Sequence, residues 1–265
     1  MKIEIYRDKS IMSSSSGENN VVLVWNGTYC DEDKIVFSDL ISDRFYSVKV
    51  DAAIETSLIY VKTSSFEYLV PSGERKRSYC PESFTGEIHF ISIRNAENFE
   101  TKGIRNLALN PVDQSAMEGV FPHASANAET RGESVFKAGN AIDGMKAVAS
   151  HGDWPYESWG INMRDDAEFM LEFGRPVDID EIRLYTRADF PHDNWWINAT
   201  IEFSDGTGMN IPLEKHIDIP HVIADVNRKQ IEWIRLGNLI KSGLSSSPFP
   251  ALTQIEVLGS ESKGE

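Results

Sequence analysis

Apolar and polar positions alternate in short runs along most of the chain. Ile3 and Ile5 stand between Lys2 and Glu4, the period of two expected of a strand with one buried face. Residues 21–25 are apolar, mostly β-branched, and closed by Asn26-Gly27, a hairpin-turn pair. Residues 34–37, 45–50, 58–61, 66–70 and 88–93 repeat the pattern, separated by turn material such as Pro71-Ser72-Gly73 and Thr85-Gly86. Ser13 to Ser16, followed by Gly17 and Asn19-Asn20, reads as a loop. No stretch in this half has helical spacing. Short strands at regular intervals predict a β-sandwich or jelly roll.

Residues 95–105 are polar and charged, with Gly103 near their end, and read as a linker. The pattern then resumes. Residues 133–138 suit one helical turn, and Asp143-Gly144 is a turn signal. Phe169, Leu171 and Phe173 share one face of a strand; Ile179, Ile182 and Leu184 carry another that ends at Arg187. Residues 197–203 lead into Ser204-Asp205-Gly206, and residues 231–236 and 252–258 form the last strands. The expectation is an all-β chain of two β-sandwich (jelly-roll) domains, residues 1–100 and 101–265, with Trp159 and Trp233 in the core.

Two segments break the alternation. Residues 151–159 read HGDWPYESW and residues 187–196 read RADFPHDNWW. Neither has a strand's or a helix's period, so both are expected to be loops displayed by the β scaffold. Indole faces suit the apolar C–H face of a pyranose, while His, Arg, Asp and Asn bond hydroxyls. The candidate ligand residues are His151, Trp154, Tyr156, Arg187, Asp189, His192, Asp193, Trp195 and Trp196. Of the adjacent pair Trp195 and Trp196, one faces in and one out, and the outward ring is the stacking platform. Arg187 suits either two neighbouring hydroxyls or an ion pair with Asp189. The competing reading is that these indoles plug the ends of the core.

Charge narrows the partners. A net charge of −15 opposes phosphate backbones and anionic headgroups, so neither nucleic acid nor membrane is expected as a partner. The basic run Arg75-Lys76-Arg77 is read as a solvated turn in preference to an anion grip. Two cysteines, Cys30 and Cys80, make no disulfide framework. The first residues lack the apolar stretch of a leader, so a cytoplasmic location is expected, or an extracellular one if a leader has been trimmed. No zinc-helix, nucleophile-elbow or phosphate-loop motif is present. Glu157 with Asp189 or Asp193 is the acid pair to test as a glycosidase dyad.

Residues 106–259 resemble the discoidin family, also called the coagulation-factor C-type domain. The resemblance rests on NLALNP at 106–111, AIDG at 141–144, Trp159, FMLEFGRPVDIDEIRLY at 169–185, IEWIRL at 231–236 and QIEVLG at 254–259. It implies a galactose-binding-like jelly roll with a ligand site in loops at one end. It also implies a structural calcium beside the AIDG turn, held by Asp143 with Glu256 of the closing strand. Met145 and Lys146 stand where the family usually carries a further Asp, which counts against calcium. The function expected is non-catalytic binding of a saccharide or glycan between the aromatic loops. The alternatives are an enzyme acting on a sugar in the same cleft and a protein-interaction module.

Overall fold

The computed structural model describes residues 1–188, 193–216 and 219–262. The first unit is a sandwich of two antiparallel sheets. One has the order Ser10–Ser16, Lys2–Arg7, Lys34–Ser38, Phe66–Leu69; the other runs Val120–Phe121, Ser57–Val61, Arg44–Lys49, Ile88–Asn95, Asn20–Asn26. Ile3, Ile5, Ile35, Phe37 and Tyr68 from the first sheet meet Tyr46, Val48, Ile59, Ile91 and Ile93 from the second in one buried core. The alternation read along these segments is therefore the alternation between core and solvent.

One correction concerns the serine-rich segment. Ser10–Ser16 is a strand, paired with Lys2–Arg7 from Lys2 opposite Ser16 to Arg7 opposite Ser10, with one register shift between Ile5 and Tyr6. It lies at the sheet edge and buries no apolar side chain. Its ladder is held by backbone hydrogen bonds, which do not need the apolar pattern from which strands are read.

The second unit is built on one curled antiparallel sheet with its own core. The 19-residue strand Phe169–Arg187 runs through its middle. Its first part pairs with His123–Ala126 and Arg228–Lys241, and its second part with Ala251–Glu261. The ladder to Arg228–Lys241 shifts between Glu172 and Val177, where Gly174 has φ 70°. A Cβ on Gly174 would stand 2.2 Å from the Phe121 ring. Glycine is required there both by the left-handed backbone and by the ring laid across it. The predicted hairpin at Ser204-Asp205-Gly206 joins Trp196–Phe203 to Gly208–Pro212. Residues 133–138 contain the single 3-10 turn Ser134–Phe136.

Trp233 departs from expectation. It is half-buried, because the register against Phe169–Arg187 shifts between Trp233 and Ile231 and turns this indole off the core face.

The chain crosses between the units more than once. Arg105–Asn106 joins the sheet edge at Ala251–Glu261. Val112, Met117 and Val120 then return to the core of the first unit, and Val120 pairs with Val61. The contact is laced by polar bonds. Ser57 Oγ donates to Asn110 Oδ1 at 2.7 Å, and the Gln114 amide exchanges two bonds with the Leu69 backbone at 3.0 and 2.8 Å. Arg175 lies over the Phe45 ring at 4.5 Å. Among the described residues no helix is long and apolar enough to cross a membrane.

Candidate functional site

The loop of residues 151–159 separates two hollows. Its end is fixed by Trp159, a fully buried core residue whose Nε1–H donates to Ala128 O at 2.9 Å. Its middle leans on the first unit. The Trp154 N–H donates to Arg77 O at 2.8 Å, and Asp153 pairs with the Arg77 guanidinium at 2.7 Å. The basic run 75–77 lies in the 3-10 turn Gly73–Ser78, and two of its charges are spent on acids: Arg77 on Asp153, Arg75 on Glu32 at 2.7 Å.

The larger hollow is a cleft of about 450 Å³ between the two units, within the range of small-molecule sites, about 300–1,000 Å³. The first unit contributes Ile54, Leu69, Pro71, Arg75, Tyr79 and Cys80. The second contributes Asn110, Gln114, Lys137, Asn140, Asp143, Trp154 and Glu157. Trp154 and Tyr79 are both half-buried, leaving part of each ring available to a ligand. Asn110 and Asn140 are oriented by their own amides, which donate to Pro122 O at 2.8 Å and Ser134 O at 2.9 Å.

Most charges bordering this cleft are already paired. Lys137 meets Glu129 at 3.4 Å. Asp113 accepts from Ala124 N–H at 3.0 Å and holds His123 at 2.7 Å, which raises the imidazole above its usual range. Asp143 and Glu157 differ. Asp143 Oδ1 accepts the Met145 N–H at 2.7 Å, yet its carboxyl is pushed well above the ordinary range by burial and then by the charge of Glu157. Glu157 is 1% exposed, and among the described residues neither of its oxygens meets a well-aligned donor. Burial lifts it to about 7. The two carboxyls adjoin as acceptor beside acceptor, so they interact favourably only when one carries a proton or a cation lies between them.

The smaller hollow, about 120 Å³, is bordered by Phe136, His151, Asn162, Met163, Arg187 and Phe249. Here the two predicted loops meet, through His151 and Arg187. Arg187 is 4% exposed; its Nε–H donates to Asp193 Oδ2 at 2.8 Å and its Nη1 to Ser158 Oγ at 3.0 Å. The arginine therefore ties one loop to the other, with Asp193 as its ion-pair partner. The hollow falls below the usual ligand-site range.

The remaining candidates scatter. Trp196 is a core residue, its ring centroid 6.3 Å from that of Trp159. Trp195 is the half-buried member of that pair, with Lys215 Nζ 5.1 Å from its ring centre. Tyr156 is half-buried and borders neither hollow. Asp189 and His192 lie outside the described residues.

The residues proposed for calcium do not fit that ion. Glu256 is held by the Lys146 ammonium, by the Tyr185 hydroxyl at 3.1 Å and by Arg183 at 3.6 Å. Ca²⁺ takes six to eight oxygens, whereas this carboxylate already faces two fixed cations. Among the described residues no group of three or more His, Cys, Asp or Glu side chains is placed to hold a metal.

Gln114, Lys137 and Asn140 were not singled out in the sequence, and Arg75, beside Tyr79, was read there as part of a solvated turn in preference to an anion grip. They become neighbours only where the two sandwiches touch. The one available signal was local: Asp143 in AIDG and Glu157 in WPYESW are acids set among apolar and aromatic residues.

The fold defines a β-sandwich protein whose second unit is a curled antiparallel jelly roll. In comparisons with solved structures, the chain is similar to a chitosan-binding module of a Paenibacillus sp. IK-5 chitosanase/glucanase, at 18% identity over 59% of this chain and 100% of that one, TM-score 0.41. It is also similar to the lectin domain of lectinolysin complexed with Lewis B antigen (15% identity, 59% of this chain, 97% of that one, TM-score 0.42). A fucose-binding module from Streptococcus pneumoniae matches at 14% identity over 58% of this chain and 96% of that one, TM-score 0.39. These structural neighbours are carbohydrate-binding proteins. No protein-family model matches the sequence, and no curated protein is significantly similar to it.

Proposed function

We propose that this chain is a saccharide-binding protein and that its ligand lies in the cleft between the two sandwiches. The observation that carries this reading is the composition of that cleft: about 450 Å³, lined by two half-buried aromatic residues, Trp154 and Tyr79, with Ser115, Gln114 and Lys137 among its polar lining. Rings receive the apolar face of a pyranose and polar side chains receive its hydroxyls. The motif order from 106 to 259 supports placing the second unit with the discoidin-type domains. The site proposed differs from the loop-end site implied by that resemblance. The hollow between His151 and Arg187 is small, and its arginine is spent on Asp193 and Ser158.

Binding is tested by calorimetric titration of mono- and disaccharides into the whole chain and into Trp154→Ala. Loss of binding in Trp154→Ala supports the cleft. Retained binding in Trp154→Ala, with loss in Trp195→Ala, would move the site to the other loop.

A further inference from the structure

The cleft contains one feature that a neutral sugar does not explain. Arg75 and Lys137 are paired with Glu32 and Glu129, and Asp113 is paired with His123. Asp143 and Glu157 adjoin in the cleft, and among the described residues no lysine, arginine or histidine is paired with either. Among the described residues neither oxygen of Glu157, which is 1% exposed, has a well-aligned donor; only its own backbone N–H and Asp143 bear on the carboxyl. A buried carboxylate without a counter-charge is unfavourable unless a partner supplies one. The wall thus sets two carboxyls against each other, with one Asp143 oxygen already accepting the Met145 N–H, in a cleft that Trp154 also lines.

We infer that the Asp143–Glu157 pair receives a primary ammonium group, and that the ligand of the cleft is a saccharide bearing a free amine, a hexosamine unit with its nitrogen on the acids and its ring against Trp154. This rests on the saccharide reading above and adds the substrate class. An ammonium offers three N–H donors and a positive charge, which matches two carboxyls better than a hydroxyl does. The excess of acids over bases in the whole chain, net −15, draws cations toward the protein. Hydrolysis is a poorer match for the pair. A glycosidase sets its two carboxyls on opposite sides of the scissile bond, whereas both of these come from the second unit's side of the cleft. The raised proton affinity of Glu157 agrees with a site built to hold positive charge between two acids.

The test is titration at pH 7.5 and low salt of a glucosamine disaccharide, its N-acetylated form and the neutral glucose disaccharide, with ethanolamine as a sugar-free amine. Wild type, Glu157→Gln and Asp143→Asn are compared. The free-amine disaccharide is expected to bind at least about tenfold more tightly than the other two, as one charge-assisted bond would supply. Both variants should reduce that preference to near unity while melting no lower than wild type. Equal binding of all three sugars overturns the amine assignment and leaves saccharide binding standing. An amine preference unchanged in both variants places the nitrogen elsewhere and overturns it too. Ethanolamine binding that depends on Glu157, with no sugar bound, keeps the ammonium site and removes the saccharide reading. No binding by any probe removes both.

Discussion

The Trp154 backbone N–H donates to the Arg77 carbonyl oxygen at 2.8 Å, joining a loop of one sandwich to a turn of the other. The bond comes from the main chain, so the loop's position does not depend on the indole. The ring is left half-buried at the cleft wall.

Trp154→Ala should therefore remove the stacking surface without loosening the loop. We expect sugar binding to fall by at least about tenfold, the scale of a stacking contact worth about 1.5 kcal/mol. The urea midpoint should stay near that of wild type. A large loss of stability in the same variant would show that the indole is a packing residue.

Arg187 behaves differently. It and Asp193 are buried together, so Arg187→Ala leaves an unpaired charge inside the protein, and we expect a loss of about 3–5 kcal/mol in chemical denaturation. The double variant Arg187→Ala with Asp193→Ala should cost less than the sum of the two single changes, because it removes the stranded charge. Additive losses would mean that the 2.8 Å pair contributes nothing as a pair. The sequence left this arginine open between a ligand contact and an ion pair within its own segment; the structure gives it Asp193 as an ion-pair partner.

Glu157 sets a pH dependence of unusual sign. Its folded pKa is raised from 4.5 to about 7, so the folded state holds this proton more tightly than the unfolded one. Its favourable contribution is complete below about pH 4.5 and is lost as pH rises through 7, roughly 3 kcal/mol in all. Asp143 is shifted in the same direction by burial and by Glu157. Glu157→Gln should match wild type in melting temperature near pH 4.5 and exceed it by several degrees at pH 8. A constant difference across that range would contradict the buried acid pair.

Lys146 and Glu256 yield a prediction about calcium. With the Lys146 ammonium on Glu256, adding millimolar calcium or a chelator should leave the melting temperature of the wild type unchanged. A rise with calcium would show that the ion displaces the lysine. Lys146→Ala should cost no more than about 1 kcal/mol, since the lysine is partly exposed.

Much of the scaffold could be read directly from the chain, because alternation reports burial and burial is what a strand in a sandwich undergoes. Phe169, Leu171 and Phe173 point to one core, and Ser204-Asp205-Gly206 makes its hairpin. The failures share a cause. Ser10–Ser16 is held through its backbone, and Trp233 is turned by a register shift imposed by its partner strand; neither effect is written in side-chain period. The site was harder still. The first aromatic segment was legible as lying outside the strands, and His151 and Arg187 do border one hollow. Trp154 instead faces a cleft whose other wall begins at Ala53 and runs through Tyr79.

Local composition thus decided most of the strands and turns, the serine-rich edge strand excepted, since each depends on neighbours a few residues away. Packing of one sandwich on the other decided which side chains face a common space, set Asp143 against Glu157 and paired Arg187 with Asp193. The reason is physical: an isolated acid in a sequence has no assigned partner, and its charge state follows from whatever the fold brings within a few ångströms of it.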